Sequence, residues 1–273
     1  MPDGMDPSAL RGVIWIFYLP GYDMRLKVIA CKVLYREISL ITARSPHYID
    51  VTYMRQGLHN TPKLLNDALK DEVRKIDAQD DLYTCPPFIG NDFDAIILGY
   101  GLCSNGIVGV KSERYPIIVP KAHDCITLLL GSKEAYNREF AENSGTYWYT
   151  PGWFENSIPP SDDSYVKLRA EYAEKFGEEE ADYIMEASNN WRGMYKCAGY
   201  IEWEGLPFPA YKSKCQQCAR EMGWEFKSFR GEQTLMEEML SGNWNEKKFL
   251  IVKPGQEIAP SYDEEVITCS GRS

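Results

Sequence analysis

Short runs of consecutive apolar residues, each leading into a helical pattern or a glycine-bearing loop, constrain this chain more than any other feature. In LKVIACKVLYREISL an apolar run ends at Ala30, and Val33, Leu34, Ile38 and Leu40 follow at helical spacing. IDVTYM leads into GLHNTPKLLNDALKDEVRKID, where Asn60 or Thr61 is placed to cap a helix and Pro62 suits its first turn. FDAIILGYGLCSNG reads as a strand over Ala95 to Leu98 that breaks into a glycine-rich loop. RYPIIVPKAHDCITLLLGS reads as a strand over Ile117 to Val119, then a loop and a short helix. Strands that are apolar throughout, rather than at alternate residues, are buried on both faces, which is the condition of a parallel sheet covered by helices on each side. The expectation is an α/β fold with Rossmann-like parallel sheets.

After about Tyr136 the texture changes to the aromatic GTYWYTPGW, then to a charged helical stretch from Asp162 to Glu186 and a strand-like GYIEWEG. Helix CQQCAREMG, strand WEFKSF, helix EQTLMEEMLSG and strand KFLIVKPGQEI repeat the alternation. With 273 residues, enough for one or two domains, the organisation reads as an N-terminal extension over 1–25, an α/β half over 26–140 and a second α/β half over 141–273. The absence of a low-complexity linker implies that the halves pack closely.

Thirty Lys and Arg against forty Asp and Glu leave a formal charge of −10, which repels a phosphate backbone and argues against nucleic acid as a partner. The apolar run from Val13 to Leu19 falls short of the roughly 20 residues a membrane span needs, and no basic cluster precedes it as in a secretory signal. The expectation is a soluble, cytoplasmic protein with a small-molecule substrate. In that setting eight cysteines read as thiols, metal ligands or catalytic groups rather than as a disulfide framework.

Three of those cysteines occupy equivalent places. Cys31 follows strand VIA, Cys103 lies in the loop after AIIL, and Cys125 lies in the loop after PIIV. In an open parallel sheet such loops share the carboxyl edge, where ligands bind at a switch in strand order, so the three thiols are placed to converge. His123 stands two residues before Cys125 and is the candidate fourth ligand. Three thiolates plus imidazole suit tetrahedral zinc, and three thiolates with an open position equally suit an iron–sulfur cluster. A single thiol at a strand end is most often a small buried apolar residue; three at matching ends shift the balance toward a metal. His123 and Asp124 also read as an acid–base pair, and His59, before a helix N-terminus on the same edge, as a substrate contact or a simple cap.

Other motifs fit less well. In GYGLCSNGIVG, Gly99 and Gly101 have the spacing of a dinucleotide loop. The third glycine position is Ser104, beside Asn105, and no acidic residue follows at the required distance. These small residues instead allow the backbone to wrap a metal or cluster closely. Cys215 and Cys218 form a CxxC with Cys197 upstream. This trio is a competing metal site, or the pair is a redox couple whose first thiol is acidified at a helix start. Tyr147, Trp148, Tyr149 and Trp153 read as core or as the wall of a pocket between the halves, and Cys85 and Cys269 as incidental.

The segments IACKVLYREI, QGLHN, AIILGYGLCSNG, PKAHDCITLLLGS and GTYWYTPGW together resemble domain-of-unknown-function family 1638, over roughly residues 26 to 258. Cys197, Cys215 and Cys218 lie outside those phrases. The resemblance implies proteins often encoded near corrinoid-dependent methyltransferases, and hence one-carbon metabolism with a corrinoid protein or methyltransferase as partner. The order His, any residue, Cys at His123 and Cys125 is similar to a zinc-binding phrase of thiol methyltransferases in such systems. It implies zinc-dependent methyl transfer to a small thiol or pterin, with an iron–sulfur or corrinoid-handling accessory protein as the alternative.

Overall fold

The structure is a computed structural model that describes residues 24–79, 92–189 and 193–270. Most of the expected N-terminal extension, and Cys85, lie outside the described residues.

The first sheet holds β1 (Arg25–Cys31), β2 (Tyr48–Met54), β3 (Ala95–Gly99), β4 (Ile117–Pro120) and one later strand, in the order β2-β1-β3-β4 and then β8 (Phe249–Val252). The first four are mutually parallel; β8 runs antiparallel to β4. Every residue of β3 and β4 is buried, as strands without polar alternation require. Lys27 is fully buried within β1. The parallel register sets it beside Asp50 of β2, and its ammonium donates to that carboxylate at 2.9 Å.

Helix α1 (Tyr35–Thr42) follows β1 through a short 3-10 turn, and α2 (Pro62–Ala78) joins β2 to β3. Proline occupies the first turn of α2, where its missing N–H costs nothing, and Leu65, Leu69, Val73 and Ile76 form its buried stripe. The link from β3 to β4 is irregular. It is tethered by the Asn66 amide, which donates to the carbonyls of Gly106 and Val108, and by reciprocal backbone bonds of Gly109 and Val110 with Ile258 of β9 (Glu257–Pro260). β9 pairs antiparallel with β10 (Ile267–Ser270). Helices α3 (Cys125–Leu130) and α4 (Lys133–Glu142) follow β4.

The second sheet is wholly parallel: β5 (Thr146–Tyr149), β6 (Cys197–Glu202) and β7 (Glu225–Arg230), in that order. Between β5 and β6 stand α5 (Pro151–Asn156), α6 (Asp162–Phe176) and α7 (Glu178–Asn189); α8 (Pro209–Met222) links β6 to β7, and α9 (Thr234–Leu240) follows β7. The fold is Rossmann-like α/β, built on parallel sheets. Nearly all strands beyond residue 141 stay out of the first sheet; β8 returns to it, so the chain crosses twice between the two sheets. No helix among the described residues is long and apolar enough to cross a membrane.

The two sheets are joined through side-chain and backbone contacts. The Trp203 indole, just after β6, donates to the carbonyl of Leu129 in α3 at 2.9 Å. The Arg36 guanidinium of α1 pairs with both carboxylate oxygens of Glu155 in α5 and lies 4.6 Å from the centre of the Phe208 ring. Gly152 of α5 rests on the carbonyl of Val33, so closely that a Cβ there would lie 2.0 Å from that oxygen. Gly152→Ala must therefore separate the halves. We expect a loss of about 1–3 kcal/mol in urea unfolding, whereas Gly193→Ala, with nothing within 4 Å of the added atom, should leave stability unchanged or slightly raised.

Candidate metal centre

Strand order reverses between β1 and β3, because the chain leaves β1 for β2 on one side and returns to β3 on the other. The carboxyl ends of these two strands bound the crevice where open α/β sheets bind ligands. Cys31 is the last residue of β1, Cys103 lies four residues beyond β3, and Cys125 opens α3 directly after the β4 loop. Two backbone bonds zip the latter loops together: Leu102 N–H donates to the Ala122 carbonyl at 2.8 Å and Cys103 N–H to the His123 carbonyl at 2.9 Å. Gly101 permits that approach, since a Cβ there would stand 2.6 Å from the Asp124 nitrogen and 2.7 Å from the Ala122 oxygen. Cys103, Ser104 and Asn105 all take left-handed backbone angles, with φ of 47°, 56° and 67°. Three successive non-glycine residues in that region make a strained turn, a state that persists only where its surroundings over-determine it.

The thiols share one environment. Burial pushes all three upward in pKa, Cys103 to about 12 and Cys125 well above the ordinary thiol value. Charge adds to burial: Cys103 feels Asp124 and Cys31, and Cys125 feels Asp124, Cys31 and Cys103. Each ionisation opposes the next, so the set stays protonated until a cation balances it. Three free thiols, soft and mutually repelling as thiolates, are the donor chemistry of zinc or an iron–sulfur cluster. They are neighbours rather than a formed coordination shell: among the described residues no three His, Cys, Asp or Glu side chains stand in metal-holding geometry.

The residues around them divide. Asp124 caps α3, accepting from Ile126 N–H at 2.9 Å, and takes the Tyr136 hydroxyl at 3.3 Å; burial raises its pKa. His59 sits in a 3-10 turn before α2, where desolvation lowers its pKa and the nearby Asp124 charge acts the other way. His123 is exposed. Its ring lies 6.2 Å from that of Tyr136, and with Lys133, Glu134, Asn137 and Glu264 it lines a separate polar cavity of about 330 Å³. Gly99 packs against Ala30 of β1, at 2.7 Å from a would-be Cβ, and Ser104 and Asn105 are exposed. The small residues of GYGLCSN are therefore filled by protein at Gly99 and Gly101.

Tyr100 belongs to this site and was not singled out from the sequence. It is 3% exposed, its buried hydroxyl has no hydrogen-bond partner, and it feels the charge of Cys31, Cys103 and Cys125 alike. A tyrosine between a buried strand and the cysteine loop was the available signal, since a phenol buried at a strand end demands a partner for its oxygen.

The family model described as "Protein of unknown function (DUF1638)" matches residues 53–240. The chain belongs to this family. No curated protein and no solved structure matches it significantly. The DUF1638 stretch contains Tyr100, Cys103, Asp124 and Cys125, and Cys31 precedes it.

The second cysteine group lies within the DUF1638 match, and there Cys215 feels the charge of both Cys218 and Cys197. On β6, Ala198 and Tyr200 face α8 and its buried Cys215 and Cys218, so Cys197, one residue out of phase, faces the opposite side. The expectation of an acidified CxxC at a helix start is overturned. Cys215 and Cys218 lie inside α8, not at its first turn, and burial raises both thiols. The aromatic group is core packing: Tyr147, Tyr149 and Trp153 interlock with Phe154, Tyr195 and Trp224, while Trp148 packs on Phe229 from the other face.

Glu37, in the first turn of α1, is 2% exposed, and one of its carboxylate oxygens has no partner. Burial lifts its pKa to about 7, the Glu155 charge adds to that, and Arg36 opposes it. Because the folded pKa exceeds the ordinary 4.5, the native state binds more protons between those values, and stability falls as pH rises from about 4.5 to about 7. Glu37→Gln should remove that slope and stabilise the protein by on the order of 2–3 kcal/mol at pH 8, with little effect at pH 4.5, measured by urea unfolding across pH.

Proposed function

We propose that this DUF1638 protein holds a metal ion through Cys31, Cys103 and Cys125 and acts in one-carbon or corrinoid metabolism, in zinc-dependent methyl transfer to a small thiol or pterin. The observation that carries the reading is the convergence of three free thiols, from three separate strand ends, on the switch point of the sheet. Zinc held by three thiolates with one open position would lower the pKa of a thiol bound there and supply a thiolate nucleophile at neutral pH. The chain's own residues would do the rest. The zipped loops after β3 and β4 shield the sulfurs from water, and Asp124 holds the start of α3 in place. His59, whose pKa desolvation lowers, stands near Asp124 and would accept the substrate's proton. The net charge of −10 argues against nucleic acid, and a corrinoid protein or methyltransferase is the proposed macromolecular partner.

A second reading, an iron–sulfur accessory protein that senses or activates a methyltransferase, is favoured by one feature. His123 is exposed and lines a separate polar cavity, and three sulfurs with an open position suit a cluster. Anaerobic purification with elemental analysis separates the two. Bound zinc leaves the protein colourless, whereas a cluster makes it brown with broad visible absorption. In either case Cys103→Ala should lose most of the metal. Full occupancy in that variant, or no metal in the wild type, overturns the metal reading.

A further inference from the structure

We propose that the polar cavity beside the Cys125 loop binds a small zwitterionic amino acid with a sulfur-bearing side chain, the molecule that carries the acceptor thiol. The acceptor role rests on the methyl-transfer reading above; the cavity itself does not depend on it. The cavity, of about 330 Å³, is lined by His123, Lys133, Glu134, Asn137 and Glu264, and its size is that of a small-molecule site. Lys133 and Asn137 stand one turn apart on α4 and so share a face of that helix. Glu264 comes from the turn between β9 and β10, and the Lys133 ammonium donates to its backbone carbonyl.

The lining carries both signs of charge without pairing them. Lys133 uses one N–H on a neutral carbonyl, which leaves two for a carboxylate. Among the described residues no ion pair joins it to Glu134 or Glu264, although all three line the same cavity. The other acids of the turn are occupied. Asp263 accepts from the Ser261 hydroxyl at 2.6 Å and from Glu265 N–H at 2.9 Å, and Glu265 pairs with Lys121. A simple anion would meet two carboxylates in this cavity, and a simple cation would meet the ammonium. A molecule that carries both an ammonium and a carboxylate answers both signs. The imidazole of His123 and the amide of Asn137, which have no hydrogen-bond partner among the described residues, add polar contacts.

Aromatic rings favour a sulfur-bearing side chain. Tyr136 and Phe140 lie one and two turns beyond Lys133 on α4; their ring centres are 5.8 Å apart with planes at 17°, and Phe140 is 59% exposed. The Tyr136 ring also lies 6.2 Å from that of His123. An exposed stacked pair beside a polar cavity suits an apolar chain, and sulfur makes favourable contacts with aromatic rings. The Tyr136 hydroxyl donates to Asp124 at 3.3 Å, and Asp124 caps the helix that Cys125 begins, so these rings lead from the cavity to the cysteine loop.

Calorimetric titration of the full chain with L-methionine tests the cavity without a free thiol. Saturable binding is expected, weakened about 10-fold or more for γ-(methylthio)propylamine, which lacks the carboxylate, and for γ-(methylthio)butyrate, which lacks the ammonium. Lys133→Met should weaken L-methionine by a similar factor and leave the amine unaffected. Glu134→Gln combined with Glu264→Gln should weaken L-methionine and leave the butyrate unaffected or improved. No saturation by L-methionine up to about 10 mM overturns the proposal, as do truncated compounds that bind equally well. If Lys133→Met disturbs the turn it holds, Glu134→Gln alone decides, since that side chain has no partner to lose; equal weakening of amine and butyrate there overturns the site. Binding of L-methionine by a protein that holds no metal keeps the amino-acid site and overturns its assignment to the acceptor.

Discussion

The backbone bonds from Leu102 to Ala122 and from Cys103 to His123 are what the site depends on. They join two loops that have no regular structure of their own, and they do so at the one place where Gly101 leaves room for the Asp124 backbone. Without that zip Cys103 and Cys125 would sit on independent loops, each free to face solvent. With it, both are held over the end of β1, where Cys31 already stands. The strained turn through Cys103, Ser104 and Asn105 is sustained by the same contacts, together with the clamp of Asn66 on the following stretch.

Bringing three thiols near one another at the sheet edge has an electrostatic consequence. Each stays protonated alone, and the carboxylate of Asp124 reinforces that state. The protein is therefore arranged so that the neutral thiols are tolerated and the thiolates require a counter-charge, which is the behaviour of a binding site rather than of a nucleophile poised by itself. The CxxC of α8 shows the contrast. Its thiols are more fully buried than Cys103 and Cys125, and they pack into an aromatic core. Burial makes both groups unreactive, but only the first gathers sulfurs from separate strand ends.

Much of the fold was legible because β3, β4 and β8 are continuous apolar runs and α2 announces itself through Pro62 and a helical stripe. The equivalence of Cys31, Cys103 and Cys125 followed from the same pattern, since residues just past parallel strands share an edge. What could not be read was orientation within a loop. His123 and Cys125 are two apart, and an extended loop would turn them alike; Asp124 begins a helix, so the chain bends and the imidazole leaves for the α4 side. Tyr100 was hidden for the opposite reason. It looks like one more aromatic core residue until its hydroxyl is found without a partner.

The pattern of apolar runs and helical stripes by itself determined a parallel α/β architecture, and therefore that cysteines at strand ends would share a rim, because strand direction and burial are local properties of composition. Tertiary structure alone decided that β8 leaves its sequence neighbours to pair with β4 and that α5 and α3 lock the two sheets together. It also decided which side chains at the rim turn inward. These outcomes depend on contacts between residues far apart along the chain, where the fit of a glycine against a carbonyl or the bend at a helix start settles what no local spacing encodes.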